Sequence, residues 1–210
     1  MFTWIATVRP HFVTAALAVA VLGSLAPRLH AADEALRPVF NGKDLSGFKV
    51  PDPNPYWRVE RGVLIGQSDE KMTGSMLLTE KSYGDFIWEA EARWQGDPDS
   101  GVFFRTPQLQ VQIGTSISQK RDLTGSFYLG KKGYPEEYQA KEAAKYLKKG
   151  DWNTIRVEAR GTTFTVFING HRVSQYTDEQ YAKPGPIGVQ IHQKLNMKIE
   201  FRNIKVAELR

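Results

Sequence analysis

From Pro38 to Arg210 the chain alternates apolar and polar residues in short runs closed by Gly, Pro, Asn and Asp. Side chains of a β-strand point to opposite faces in turn, so this period of two predicts half-buried antiparallel strands. In Asp85–Arg93, Phe86, Trp88, Ala90 and Ala92 take one face, and Asp85, Glu89, Glu91 and Arg93 the other. Gln108–Ile113 is stricter: Leu109, Val111 and Ile113 face a core while Gln108, Gln110 and Gln112 line the opposite surface. Thr154–Arg160 sets Ile155, Val157 and Ala159 against Arg156, Glu158 and Arg160. Asn169-Gly170, between Thr163–Ile168 and His171–Tyr176, predicts a hairpin, because both residues tolerate the positive φ of a type I′ turn. Val189–Gln193 and Lys198–Val206 close the set, with Val189 and Ile191 inward and Gln190 and His192 outward.

Pro135–Lys149 departs from the alternation. Pro near its start, Glu136 and Glu137 in the first turn, Lys145, Lys148 and Lys149 in the last and Gly150 beyond match a helix dipole and predict one short helix. Many short strands with a single inserted helix predict an all-β fold, a two-sheet antiparallel jelly-roll sandwich.

At the N-terminus, Arg9 precedes an apolar stretch, Phe12–Ala26, and a small residue, Ala31. At about 15 residues that stretch is shorter than the ~20 that span a bilayer. Met1–Ala31 therefore reads as a secretory signal peptide cleaved after Ala31, with an uncleaved anchor as the alternative. A short segment, Ala32–Pro38, then leads into a single domain, Val39–Arg210. The expected location is secreted or periplasmic, in a bacterium, with no membrane span after cleavage.

Composition narrows the chemistry. The 210 residues include no Cys, which excludes disulfides, thiolate metal sites and a cysteine nucleophile. Lys plus Arg number 28 against 23 Asp plus Glu; removing Arg9 and Arg28 with the leader leaves 26 against 23, scattered along the chain. Nucleic acid is not an expected partner.

The punctuation of the strands is itself informative. The chain reads Phe40-Asn41-Gly42-Lys43-Asp44-Leu45-Ser46-Gly47-Phe48, then Trp57, Gly62-Val63-Leu64, Tyr83-Gly84-Asp85-Phe86 and Ser100-Gly101-Val102-Phe103-Phe104-Arg105. Gln112-Ile113, Thr124-Gly125, Gly150-Asp151-Trp152-Asn153, Asn169-Gly170, Gly188-Val189-Gln190-Ile191-His192 and Phe201-Arg202-Asn203-Ile204 follow in order. Across Val39–Leu209 this resembles the 3-keto-disaccharide hydrolase domain family. The resemblance implies a concanavalin A-like lectin/glucanase jelly roll, secreted, that acts on or binds sugars. The chain departs from the family pattern at Phe48, where Trp is common, at Asp99, where Asn is frequent, and at Gln110, where the family often has Glu.

A ligand site on such a sandwich must use an outward sheet face, usually the concave one. Alternation nominates Arg105, Gln110, Gln112, Tyr128, Gln190 and His192, each with inward-pointing neighbours. Amides and guanidinium groups suit hydroxyl pairs, and a flat aromatic suits a sugar's apolar face; Tyr128, Trp57 and Trp152 are the stacking candidates. The bland readings are a solvated Gln row and, for Arg105, a buried ion pair. Glycosidases ordinarily need two carboxyl groups. Gln110 and Gln112 cannot ionise, and the Glu89, Glu91 pair, about 7 Å apart on a strand face, reads as solvated surface. The ketone of a 3-keto sugar, as the resemblance implies, acidifies the neighbouring C2 proton, so one base can expel the C1 oxygen by elimination. On that reading His192 is the base, Arg105 or a divalent cation such as calcium holds the enolate, and Asp99 or Asp122 is a carboxylate partner. The alternative is a non-catalytic carbohydrate-binding domain of the same fold, favoured by the missing acidic residues.

Overall fold

The computed structural model describes Met1 and residues 35–209. The proposed signal peptide, Met1 apart, lies outside the described residues. The first strands in chain order are β1 (Arg37–Pro38), β2 (Phe48–Lys49), β3 (Trp57–Glu60), β4 (Val63–Gln67), β5 (Ser75–Tyr83), β6 (Phe86–Trp94) and β7 (Asp99–Phe104). They are followed by β8 (Leu109–Ser116), β9 (Arg121–Asp122), β10 (Phe127–Tyr128), β11 (Asn153–Arg160), β12 (Thr163–Ile168), β13 (His171–Thr177), β14 (Gly185–Ile191) and β15 (Lys198–Glu208). Two antiparallel sheets result. The eight-stranded one runs β13-β12-β11-β6-β15-β4-β3 with β1 on β15, and the seven-stranded one runs β10-β8-β7-β14-β5-β2 with β9 on β8. No helix among the described residues is long and apolar enough to cross a membrane.

The core lies where the alternation predicts it. Phe86, Trp88, Ala90, Ala92, Ile155, Val157 and Ala159 from one sheet pack against Leu109, Val111, Ile113, Val189 and Ile191 from the other. Burying each large apolar side chain contributes about 1.5–3 kcal/mol, which holds the two sheets face to face. The predicted hairpin is present: Asn169 (φ 49°) and Gly170 (φ 84°) both take the left-handed region, where only Gly and a few polar residues are comfortable.

The helical insertion differs from its sequence reading. Pro135–Lys149 forms two separate 3-10 turns, Glu136–Tyr138 and Ala143–Lys145, with Gln139 extended between them (φ −84°, ψ 142°). Tertiary hydrogen bonds compete with the helix. The Ala140 N–H donates to Ser126 Oγ (2.9 Å), and the Gln139 side chain donates to the Tyr134 carbonyl (2.6 Å). The Ala140 N–H, spent on Ser126 just before β10, cannot continue a helical ladder.

Candidate functional site

Register on the seven-stranded sheet fixes which outward residues meet. Tyr128 stands opposite Gln110, Gln110 opposite Phe103, and Phe103 opposite Gly188. One row on, Gln112 faces Gly101, and continuing the β7–β14 register sets Gln190 on the far side of Gly101. In the third row Asp99 pairs with Gly114, and the His192 N–H donates to the Asp99 carbonyl (3.3 Å). Six of the predicted site residues, Asp99, Gln110, Gln112, Tyr128, Gln190 and His192, thus share one face.

That face is not the open, solvated row that alternation suggests. Asp99 is 3% exposed, Gln110 7% and Gln112 0%. Pointing away from the core is a local property of the strand, whereas exposure depends on what the rest of the chain lays over it. Here Tyr134, from the loop after β10, donates its hydroxyl to Gln112 Oε1 (2.7 Å) and its ring packs 5.1 Å from that of Tyr128. Burial pushes the Tyr134 hydroxyl pKa well up, despite its hydrogen bond with Ser116, and the nearby Asp99 charge adds to the effect, so Tyr134 is a standing donor.

The buried amides form a directed relay. An ionised carboxylate only accepts hydrogen bonds. Asp99 Oδ2 accepts from the Ile117 N–H (2.7 Å) and Oδ1 from Gln112 Nε2 (2.9 Å). Gln112 must then turn its oxygen the other way, where it accepts from Gln110 Nε2 (3.0 Å) as well as from Tyr134. Gln110 Oε1 is left without a protein donor among the described residues. Gly101 makes room for the relay: a Cβ there would stand 2.7 Å from Gln110 Nε2. Beside it, Gln190 Oε1 is buried with no hydrogen-bond partner, a costly arrangement for a polar atom unless a ligand or water completes it.

His192 is half-buried at the end of the same face. Its Nδ1 lies 2.7 Å from the Gln193 carbonyl oxygen. A carbonyl can only accept, so Nδ1 carries a proton, and in the neutral ring it is Nε2 that holds the lone pair. The ring is therefore held in the tautomer that a general base requires.

Other predicted positions fall elsewhere. Arg105, read as a catalytic clamp, is 2% exposed and is a structural ion pair instead. Its Nη2 donates to Asp85 Oδ1 (3.1 Å) and to the Gly161 carbonyl (2.9 Å), its Nη1 to the Ala182 carbonyl (3.1 Å), and the guanidinium sits over Phe86 and Phe164 of the opposite sheet. Its Nε has no partner but is sealed inside the protein, out of reach of an enolate on the sheet face. Trp152, read as a sugar platform, belongs to the other side of the molecule, where Arg93 and Arg202 stack over its ring at 4.5 and 4.2 Å. Trp57 is core, its indole N–H bonded to Ser75 Oγ (2.9 Å). Asp122 is turned back on Thr124, accepting from both its N–H and its hydroxyl. The Glu89, Glu91 pair is tied to Arg156 and Arg202. The suggested divalent cation has no cage either: among the described residues no cluster of three or more His, Asp or Glu is placed to hold a metal. Sequence reasoning missed Tyr134, which lies on a loop with no periodic signal, and Ser116, the end of β8, whose parity with Gln110 and Gln112 could have found it.

Surface cavities lie away from this face. One of 870 Å³ is bordered by Arg37, Lys81, Tyr83 and Glu208, and one of 560 Å³ by Glu89, Arg156 and Phe167. The amide face is singled out by its hydrogen bonding, not by its depth.

Known proteins share this architecture. A candidate glycosyl hydrolase of Parabacteroides distasonis superposes with a TM-score of 0.64 at 20% identity, covering 84% of this chain and 95% of its own. A second from the same organism gives 0.59 at 24% identity, with 83% and 84% covered. The carbohydrate recognition domain of Emp47p gives 0.56 at 14% identity, with 85% and 96% covered. Likeness at these identities shows the fold, a concanavalin A-like jelly roll that serves lectins and glycoside-active proteins alike. No relative was found among curated sequences. The profile of the 3-keto-alpha-glucoside-1,2-lyase-like domain matches residues 35–207, essentially all of the described chain, and the protein belongs to that family.

Proposed function

We propose that this protein cleaves the C1–O bond of 3-keto glycosides by elimination, with His192 as the base. The supporting observation is the His192 ring, whose Nδ1–H is held by the Gln193 carbonyl so that Nε2 stays free on a face of hydrogen-bonding amides. The ketone at C3 makes the C2 proton acidic. Nε2 takes that proton, the C2 electron pair forms the C1=C2 bond, and the C1–O bond breaks. The imidazolium returns the proton to the departing oxygen, so an alcohol and an unsaturated ketone leave; water adding across C1=C2 converts the elimination into net hydrolysis. Charge gathers on the C3 oxygen in between, and the Gln190 amide N–H, bonded to nothing in the described protein, is the available donor. A two-carboxylate glycosidase route is not supported: Asp99 is the single acidic residue of the relay and both its oxygens are occupied.

That occupied carboxylate favours one second reading, a domain that binds sugars without cutting them. The two separate cleanly. Full-length protein incubated with a 3-keto-glucoside in heavy water should release free alcohol and place deuterium at C2 of the sugar product, followed by NMR. Saturable binding with no alcohol released from 3-keto or unoxidised glycosides would establish the second reading. We also propose export, on the strength of the Arg9, Phe12–Ala26 and Ala31 pattern; N-terminal sequencing of the mature protein should begin at Ala32, and a chain beginning at Met1 would overturn it.

A further inference from the structure

The amide face divides lengthwise into two chemistries. On the β10–β8 side stand Tyr128, Gln110 and Gln112. Across β14 and β5 the register continues with Phe103 opposite Gly188, Gly188 opposite Leu78 and Gln190 opposite Met76. Phe103, Leu78 and Met76 are half-buried, in a molecule whose other large apolar side chains are mostly sealed in the core. Leu78 lies flat: a Cβ added at Gly188 would meet its Cδ2 at 2.5 Å, so the leucine covers the glycine and leans toward Phe103. The result is an apolar ledge beside the polar row, with the unpartnered Gln190 oxygen at their boundary.

The exposed large hydrophobic residues reinforce this division. Among the described residues they are Met1, Val50, Met72 and Ile117. Met72 leads into β5, and its carbonyl accepts from the Lys194 N–H (2.7 Å), two residues beyond His192. Ile117 follows β8, and its own N–H anchors Asp99. Both stand on loops at the His192–Asp99 end of the face, so apolar surface both floors and rims the site.

We infer that the substrate is a glycoside whose leaving group is apolar, an alkyl or arylalkyl alcohol, with the keto sugar over the amide row and the aglycone over Phe103, Leu78 and Met76. The inference rests on the cleavage reading above and names its substrate class. A second sugar as leaving group presents hydroxyls that need partners, and the Phe103, Leu78 and Met76 surface offers none; Lys49, opposite Leu78, and Glu80 stand only at its outer margin. An apolar group loses nothing there and removes the ledge from water, with the pliant Met76 thioether adapting to its shape.

The test compares the 3-keto derivative of a benzyl glucoside with that of a glucosyl-glucose disaccharide of the same linkage. The glucose hydroxyl is the more acidic of the two alcohols, so departure alone would favour the disaccharide and a preference for the benzyl substrate reports binding. kcat/KM should favour the benzyl substrate at least tenfold, and Met76→Gln and Leu78→Gln should each shrink that ratio at least threefold. A ratio near one, or a preference that neither substitution moves, overturns the aglycone assignment while leaving cleavage intact. Calorimetry with unoxidised benzyl glucoside and cellobiose needs no turnover. Tighter binding of the benzyl compound without cleavage of either keto substrate would keep the apolar subsite and refute the enzyme reading, and binding of neither without turnover would refute both.

Discussion

On the outer face of the eight-stranded sheet, cations answer the carboxylates: Glu91 is held by Arg202, Glu200 by Arg93 and Lys198, and Glu89 and Glu158 by Arg156. On the outer face of the seven-stranded sheet, Asp99 is spent on an amide and a backbone N–H, while Gln190 and His192 keep polar atoms that no described residue engages. The first surface is closed upon itself, and its charges serve solubility and local order. The second is open at chosen atoms and apolar beside them, an arrangement that costs stability and so points to a ligand. A Trp among charged residues looks more like a binding site from sequence than a row of glutamines does. The hydrogen-bond ledger reverses that impression.

Substitutions on the two faces should differ in kind. The largest effect is expected for His192→Gln, which should lower turnover of 3-keto glycosides by about 10²–10⁴-fold, the usual contribution of a general base, with the thermal midpoint unmoved. Full activity in that variant would remove the contrast between the faces. Next, Asp99→Ala strips the acceptor from the buried Gln112 amide and the part-buried Ile117 N–H and should cost about 1–3 kcal/mol in urea unfolding. It also frees Gln112 to flip, so sugar affinity should fall beyond what the lost stability explains. Trp152→Ala removes two half-buried cation–π contacts and should cost about 1 kcal/mol while leaving turnover and sugar binding as they were. A collapse of binding in this variant would move the site to the other sheet.

The smallest effect concerns pH. The hydrogen bonds from Arg202, with those from Asn203 and the Arg202 charge, hold the Glu91 carboxyl below its ordinary 4.5. A carboxylate whose folded pKa is depressed stabilises the fold above its unfolded pKa, and that contribution is lost as pH falls through the lower folded value. Stability should therefore decline below about pH 4.5, and Glu91→Gln should remove about 0.5 kcal/mol of the difference between urea midpoints at pH 6 and pH 3, as expected for a solvent-screened pair. An unchanged slope would show that this ion pair carries no weight.

Much of the sandwich is legible in the linear pattern because each strand buries one side. Phe86–Ala92 and Ile155–Ala159 could not alternate as they do and pack any other way, and Asn169-Gly170 announces its turn through backbone conformation alone. The helical reading of Pro135–Lys149 held in type but not in length, the segment being two 3-10 turns and no continuous helix, for the opposite reason. Its dipole-matched charges are a weak local preference, and the hydrogen bond from the Ala140 N–H to Ser126, with a local one from the Gln139 side chain to Tyr134, outweighed it.

Which residues share the candidate site follows partly from strand parity, a local property: Gln110, Gln112, Gln190 and His192 point outward wherever their strands lie. Parity is silent about neighbours and cover. Only the strand order β10-β8-β7-β14-β5 brought Asp99 beside Gln112 and His192, and only the loop bearing Tyr134 buried the amides it crosses. Arg105 and Trp152 share the chemistry of sugar-binding residues, yet one plugs the space between the sheets and the other faces away. Residue type sets what a side chain can bond to, and contacts between residues distant in the chain decide which of those bonds are already made.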